Sequence, residues 1–179
     1  MALYKTHELF NLVLFFPSAA LLPEEGRLPF TAGYFLSTFV LSPDLDLPFS
    51  VPSKRLGVFR YLFIPFWVRH RGVTHVPLIG SLVKLGYLVF LFVFLYFVLV
   101  GALRLAGVER LPSFDPFEAL KKLAERPESF YFVLGVAVAD AYHLLLDFIS
   151  SAFRSLRRRR RASSPERSRS SRAARRRRA

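Results

Sequence analysis

The sequence contains no cysteine, which excludes disulfides and thiolate metal ligands. Any metal site must therefore be built from nitrogen and oxygen donors. Acidic residues are scarce towards the C-terminus, where residues 151–179 hold 13 arginines and one glutamate. The net charge of +13 thus belongs to the tail, because residues 1–150 hold 13 basic and 12 acidic residues and are close to neutral.

The tail also has few apolar residues to bury, so we expect a folded domain over 1–151 and a disordered basic tail over 152–179. Runs of arginine attract anionic lipid headgroups or nucleic acid phosphates. Lipid headgroups are the favoured partner, because no folded basic surface or aromatic base-stacking platform accompanies the tail. In the simplest interpretation the tail is solvated and fixes the orientation in a membrane.

Charge is missing from Leu85 to Leu103, 19 residues that would span roughly 28 Å as a helix and so cross a bilayer. Residues 127–151 form a second apolar segment, and residues 7–22 and 29–41 are shorter ones joined by a turn at 23–26. With 53% hydrophobic residues, the sequence predicts an all-α, membrane-embedded antiparallel bundle of about four main helices.

Two regions connect these helices. Residues 42–74 are rich in proline and predict a long loop, a kind of segment that is often functional. Asp115-Pro116 is typical of a capped helix start, which predicts a short amphipathic helix ending near Glu125.

The four histidines each occur near a carboxylate or another histidine. His143 and Asp147 are four residues apart, so both lie on one face of the last helix. Imidazole and carboxylate donors suit zinc, manganese or iron, of which zinc is favoured, and either one or two ions fit the pattern. The predicted metal ligands are His7, Asp44, His70, His75, His143 and Asp147.

The order of the helices supports a shared site. In an alternating bundle, the start of the first and third helices and the end of the second and fourth lie together. These are the four places where the predicted ligands occur. Most basic residues, including the tail, belong to this same end, so the positive-inside rule places the site and the tail on the cytoplasmic side of the inner cell membrane.

Other polar residues have competing interpretations. Asp140 either orients an imidazole or makes a hydrogen bond between helices. Arg71 either clamps a phosphate or pairs with a carboxylate or headgroup. Thr74 is most simply a helix N-cap. Asp46 and Asp147 are the candidate catalytic carboxylates, because either could accept a proton from water at a metal site.

The motifs Pro-Asp-x-Asp, His-Arg-Gly-x-Thr-His and a late His-x-x-x-Asp resemble an uncharacterised prokaryotic family of metal-binding proteins. They resemble more loosely the inner-membrane-associated metal-dependent hydrolases. The resemblance covers residues 1–150 and implies the same six metal-site positions. A more distant similarity to helical zinc phospholipases and nucleases implies phosphoester chemistry.

Three functions follow from these observations. The first is a metal-dependent hydrolase that acts on a phosphoester or lipid-like substrate. The second is a non-catalytic membrane protein whose metal is structural, sensory or stored. The third is a membrane scaffold that recruits acidic partners or nucleic acid through its tail. The sequence leaves the choice among them open, as it does the oligomeric state.

Overall fold

The computed structural model describes residues 4–67, 76, 78–109 and 114–162, and every regular element within these ranges is helical. Three long helices form the core, and a fourth begins beside them. Short helical segments lie in the described part of the chain between Phe39 and Ile79. The α-helices are α1 (Tyr4–Ala20), α2 (Glu24–Phe39), α3 (Val51–Arg55), α4 (Ile79–Leu105), α5 (Pro116–Ala124) and α6 (Pro127–Ala162).

The helices α1 and α2 form the predicted hairpin. Asn11 Nδ2 donates to Thr38 Oγ1 at 3.2 Å, and the Tyr34 hydroxyl donates to the Asn11 carbonyl at 2.7 Å. The turn is shorter than expected, since Glu24 and Glu25 begin α2. Carboxylates in a first helical turn are stabilised by the positive end of the helix dipole, which favours this earlier start.

The helices α2 and α6 make the most extensive contact and run in the same direction. Their backbones approach closely at two glycines. A methyl group on Gly33 would lie 2.1 Å from the Phe132 carbonyl oxygen, and one on Gly135 would lie 2.2 Å from the Phe30 carbonyl oxygen. Only residues without a Cβ permit this packing.

The helix α6 is longer than predicted, because it continues past Ser151 to Ala162. Arginine is a good helix former, and positive charge near a helix C-terminus interacts favourably with the helix dipole. The basic sequence that was expected to be disordered from residue 152 therefore begins within a helix.

The helix α4 contains the uncharged segment Leu85–Leu103 and is mostly exposed. Its buried residues are Gly80, Ser81 and Lys84, all near its start. Two of the described helices are long and apolar enough to cross a membrane: Ile79–Leu105, with mean hydropathy 2.6, and Pro127–Arg157, with mean hydropathy 1.7. In the most apolar 18-residue stretch of α4 no residue is buried, whereas 28% of the corresponding stretch of α6 is buried.

The described part of the predicted loop after α2, residues 42–67, is largely helical. It contains a 3-10 turn at Pro43–Asp46, here called the acidic turn, then α3 and a 3-10 helix at Gly57–Phe66. Leu41, Leu45 and Phe63 form a small apolar core, against which Leu85 and Leu88 of α4 pack. This core holds the acidic turn beside the first turns of α4.

The short helix α5 follows the prediction. The Asp115 carboxylate accepts hydrogen bonds from the backbone N–H groups of Phe117 and Glu118 at 2.8 and 3.2 Å. These bonds satisfy two of the free donors at the start of α5, as an N-cap does. The helix ends at Ala124, one residue before the predicted end.

Candidate metal centre

Three elements bring predicted ligands together at one end of the core. His7 lies at the end of the first turn of α1, and Asp44 lies on the acidic turn. His143 and Asp147 lie one turn apart on α6, on the face that meets α1. Three of the four predicted positions therefore converge in the described part of the chain.

The donor atoms of these residues lie close to one another. His7 Nε2 is 3.4 Å from Asp147 Oδ1, and His143 Nε2 is 3.5 Å from Asp44 Oδ2. The two imidazole rings are stacked, with centroids 4.0 Å apart and an angle of 21° between their planes. Single donor atoms of His7, His143 and Asp147 all lie within 4.8 Å of one another.

These distances fit a bound metal ion. Two donors at about 2.0–2.1 Å from a tetrahedral ion are separated by roughly 3.3–3.4 Å. The observed 3.4 and 3.5 Å separations are close to this value. Each of these two pairs is therefore spaced as two ligands of one ion are, and the nitrogen and oxygen donors suit a transition metal.

Burial makes the arrangement costly without a cation. His7 and His143 are each 3% exposed. Within the described ranges, His7 Nδ1, His143 Nε2 and Asp147 Oδ1 are buried and have no hydrogen-bond partner. A buried polar atom that lacks a partner costs about 1–3 kcal/mol, so several in one place indicate a site for an ion.

Electrostatics favour the ligating form of His7. Burial lowers the pKa of His7 below its ordinary value of 6.5, and the neighbouring His143 lowers it further. The carboxylates of Asp147 and Asp44 act in the opposite direction but contribute less. Neutral imidazole is the form that binds metals, so the site keeps His7 ready as a ligand.

Asp140 lies beside this group and has different partners. Its carboxylate accepts hydrogen bonds from Ser37 Oγ and Ser81 Oγ, each at 2.5 Å, and lies 2.7 Å from Lys84 Nζ. Of the two sequence-based interpretations, the structure shows the hydrogen bonds between helices. Asp140 thereby connects α6 to α2 and α4.

Sequence reasoning missed Lys84. It directly precedes the uncharged run Leu85–Leu103, yet it is 1% exposed and its Nζ donates to the Leu41 carbonyl at 2.5 Å. The acidic turn is near enough for Asp46 and Asp44 to interact electrostatically with Lys84. The position of Lys84 directly before an uncharged run of residues does not indicate in the sequence that its side chain points inward.

Of the remaining candidate residues, one is described by the structure and four are not. Asp46, a candidate catalytic residue, is described and is 1% exposed. The predicted ligands His70 and His75, with Arg71 and Thr74, lie outside the described residues. Their roles therefore stay predictions from the sequence.

Comparison with known proteins agrees with a metal centre. A family described as "Uncharacterized metal-binding protein (DUF2227)" matches residues 4–157. An uncharacterized protein of Aquifex aeolicus (strain VF5) is 51% identical over 135 residues, which cover 73% of this chain and 96% of the relative. No solved structure matches the chain. The resemblance seen in the motifs is thereby confirmed, and the chain belongs to this prokaryotic family of metal-binding proteins.

Proposed function

We propose that the chain is an integral membrane protein whose His/Asp centre binds a divalent metal ion and hydrolyses a phosphoester or lipid-like substrate. The observation that carries the proposal is the convergence of His7, His143 and Asp147, whose buried donor atoms lie within 4.8 Å of one another. Membership of a metal-binding family supports the same centre.

Zinc is the ion we favour, with manganese and iron as alternatives. Zinc accepts both imidazole nitrogen and carboxylate oxygen at the short distances that this site offers. In this proposal the ligands come from His7, His143, Asp147 and Asp44. His70 and His75 of the intervening motif are the remaining candidates from the sequence.

The proposed location is a membrane, with α4 and α6 as spans. The most apolar stretch of α4 is not buried by the rest of the protein, so in water this helix would expose a very large apolar surface. Lipid would cover that surface instead. The excess of basic residues in the tail favours a cytoplasmic position for the tail and the metal centre.

The proposed chemistry is hydrolysis. A bound divalent ion lowers the pKa of a coordinated water towards about 7 and polarises the group under attack. Asp147 Oδ1 lies 3.4 Å from His7 Nε2, which supports its proposed role as a ligand. In this proposal Asp46 is the proton acceptor, because it is buried and lies two residues from Asp44 on the acidic turn.

Metal analysis of the purified full-length protein tests the central claim. We expect stoichiometric metal in the wild type and loss of most of it in His7→Ala and in His143→Ala. Glu118→Gln, which removes an exposed carboxylate paired with Lys122 on α5, is the matched control and should keep its metal. A wild type that takes up no zinc, manganese or iron when these are supplied would contradict the proposal.

An activity assay separates the enzyme from a non-catalytic metal protein. The zinc-loaded wild type should hydrolyse members of a panel of phosphomonoesters, phosphodiesters and phospholipids. Asp46→Asn should keep its metal and lose at least about 100-fold in rate, the usual scale of general base catalysis. Absence of turnover across the panel with full metal occupancy would favour a structural, sensory or storage role.

The tail has a separate proposed role as a contact for anionic lipid headgroups. The last described part of α6 exposes Phe148, Phe153 and Leu156 on one side and Arg154 and Arg157 on another. An apolar stripe beside basic residues is typical of a helix at the membrane surface. Nucleic acid is the less favoured partner of the same arginines.

A further inference from the structure

The strongest feature outside the metal donors is the buried cation at the start of α4. Lys84 is 1% exposed, and its Nζ lies 2.7 Å from Asp140 Oδ2. The same nitrogen donates to the Leu41 carbonyl at 2.5 Å. Lysine side chains are rarely buried to this extent unless they are paired, and Asp140 is the partner of Lys84.

The hydrogen bonds identify Asp140 as an ionised carboxylate. The hydroxyls of Ser37 and Ser81 each donate their single proton to it, one to Oδ1 and the other to Oδ2. Lys84 supplies a third donor. A carboxyl group that receives three donors accepts at both oxygens and has no need of its own proton. Lys84 therefore provides the positive charge that balances a buried negative one.

This ion pair adjoins the metal donors. Asp140 precedes His143 by one turn on the same face of α6. Asp46 and Asp44 lie near enough to Lys84 to interact with it electrostatically, and Asp44 Oδ2 is also 3.5 Å from His143 Nε2. Asp44 thus lies near both His143 and Lys84 and connects the metal donors to the ion pair. In two-metal centres, a second ion lies about 3.5–4 Å from the first and is held by such neighbouring carboxylates.

We propose that the Lys84 ammonium takes the place of a second metal ion on the Asp140 side of the centre, so that the centre holds a single ion. Asp140 is then the partner of Lys84 and a positioning residue, and it is not a metal ligand. This inference rests on the proposed metal function and specifies the metal content of the same site.

The first test uses the unmodified full-length protein in detergent. After loading with zinc and removal of free metal, elemental analysis should give about one ion per chain. After loading with manganese, electron paramagnetic resonance should show isolated ions without spin coupling. Two ions per chain, or a spin-coupled manganese pair, would overturn the inference and leave the proposed function standing. A wild type without metal would overturn both.

Variants test the role of Lys84 directly. Lys84→Met removes the cation beside Asp140 and should increase zinc content by about one ion per chain. The double variant Lys84→Met/Asp140→Leu removes both charges and should return to the wild-type content. Asp140→Asn should keep the wild-type content and the wild-type spectrum of the cobalt-substituted protein. A loss of metal in Asp140→Asn, or an unchanged content in folded Lys84→Met, would contradict the inference.

Discussion

The imidazole rings of His7 and His143 stack at a centroid distance of 4.0 Å, although the two residues come from the first and the last helix of the described chain. Each ring places its Nε2 near a carboxylate, Asp147 for His7 and Asp44 for His143. Two stacked rings cannot both be protonated without strong repulsion. The contact therefore contributes to the lowered pKa of His7, which favours the neutral ring that a metal ion needs.

Acidification should destabilise the metal-free protein through His7. Because the pKa of His7 is lowered in the folded state, the unfolded chain takes up the proton first as the pH falls below 6.5. The free energy of unfolding should then decrease from pH 6.5 downwards, by no more than about 1.4 kcal/mol per pH unit for this one proton. Urea unfolding of metal-free wild type and His7→Gln at several pH values would measure it. An equal slope in both proteins would contradict the assignment to His7.

Alanine at the crossing of α2 and α6 should destabilise the fold. In Gly33→Ala or Gly135→Ala the new methyl group would meet a backbone carbonyl oxygen at 2.1 or 2.2 Å, so the helices must separate. We expect a loss of about 1–3 kcal/mol in the free energy of unfolding.

Two glycines of α4 provide the matched controls. A methyl group at Gly86 or Gly101 meets nothing within 4 Å. Gly86→Ala and Gly101→Ala should therefore be neutral or stabilise by up to about 1 kcal/mol, through helix propensity alone. Thermal unfolding in the same detergent compares all four. Similar melting temperatures for Gly33→Ala and Gly101→Ala would show that the close crossing is unimportant.

The absence of cysteine permits a direct test of sidedness. Single cysteines can be introduced by Ala173→Cys in the tail and by Ala124→Cys at the end of α5. In intact cells a membrane-impermeant maleimide should label Ala124→Cys and leave Ala173→Cys unlabelled until the membrane is broken. Labelling of Ala173→Cys in intact cells would place the tail outside the cytoplasm.

Anionic lipid should protect the tail from trypsin, which cleaves after arginine. In nanodiscs with phosphatidylglycerol, cleavage within Arg157–Arg161 should be slower than in phosphatidylcholine, because each arginine near an anionic surface gains about 1 kcal/mol. The difference should disappear at high salt, which screens the attraction. Equal rates in both lipids, with protection by added RNA, would favour nucleic acid as the partner.

Local sequence signals predicted much of the fold. The uncharged run Leu85–Leu103 lies within α4, and Asp115 caps α5 as its sequence context indicates. Charged residues were harder to place. Glu24 and Glu25 were assigned to a turn but begin α2, where the helix dipole favours them. The prolines of the segment after α2 indicated a loop, whereas the structure there forms short helical turns that proline can start.

The candidate site was predictable where residues share a helix and much less so where helices meet. His143 and Asp147 follow from their spacing, and their proximity to His7 followed from the expected order of helices. The partners of Asp140 did not follow, because Ser37, Ser81 and Lys84 come from two other helices. Which face of α4 points inward depends on tertiary packing, and a helix that is apolar on every side gives no indication of it.

The contact between His7 and Asp147 has a consequence for biosynthesis. The chain leaves the ribosome from its N-terminus, so His7 emerges long before the residues of α6. A stalled or shortened product that lacks α6 would contain α1 and the acidic turn but not the two ligands of the last helix. The proposed centre can therefore be assembled only after α6 has been synthesised, and bound metal would mark those molecules in which α6 has reached its place.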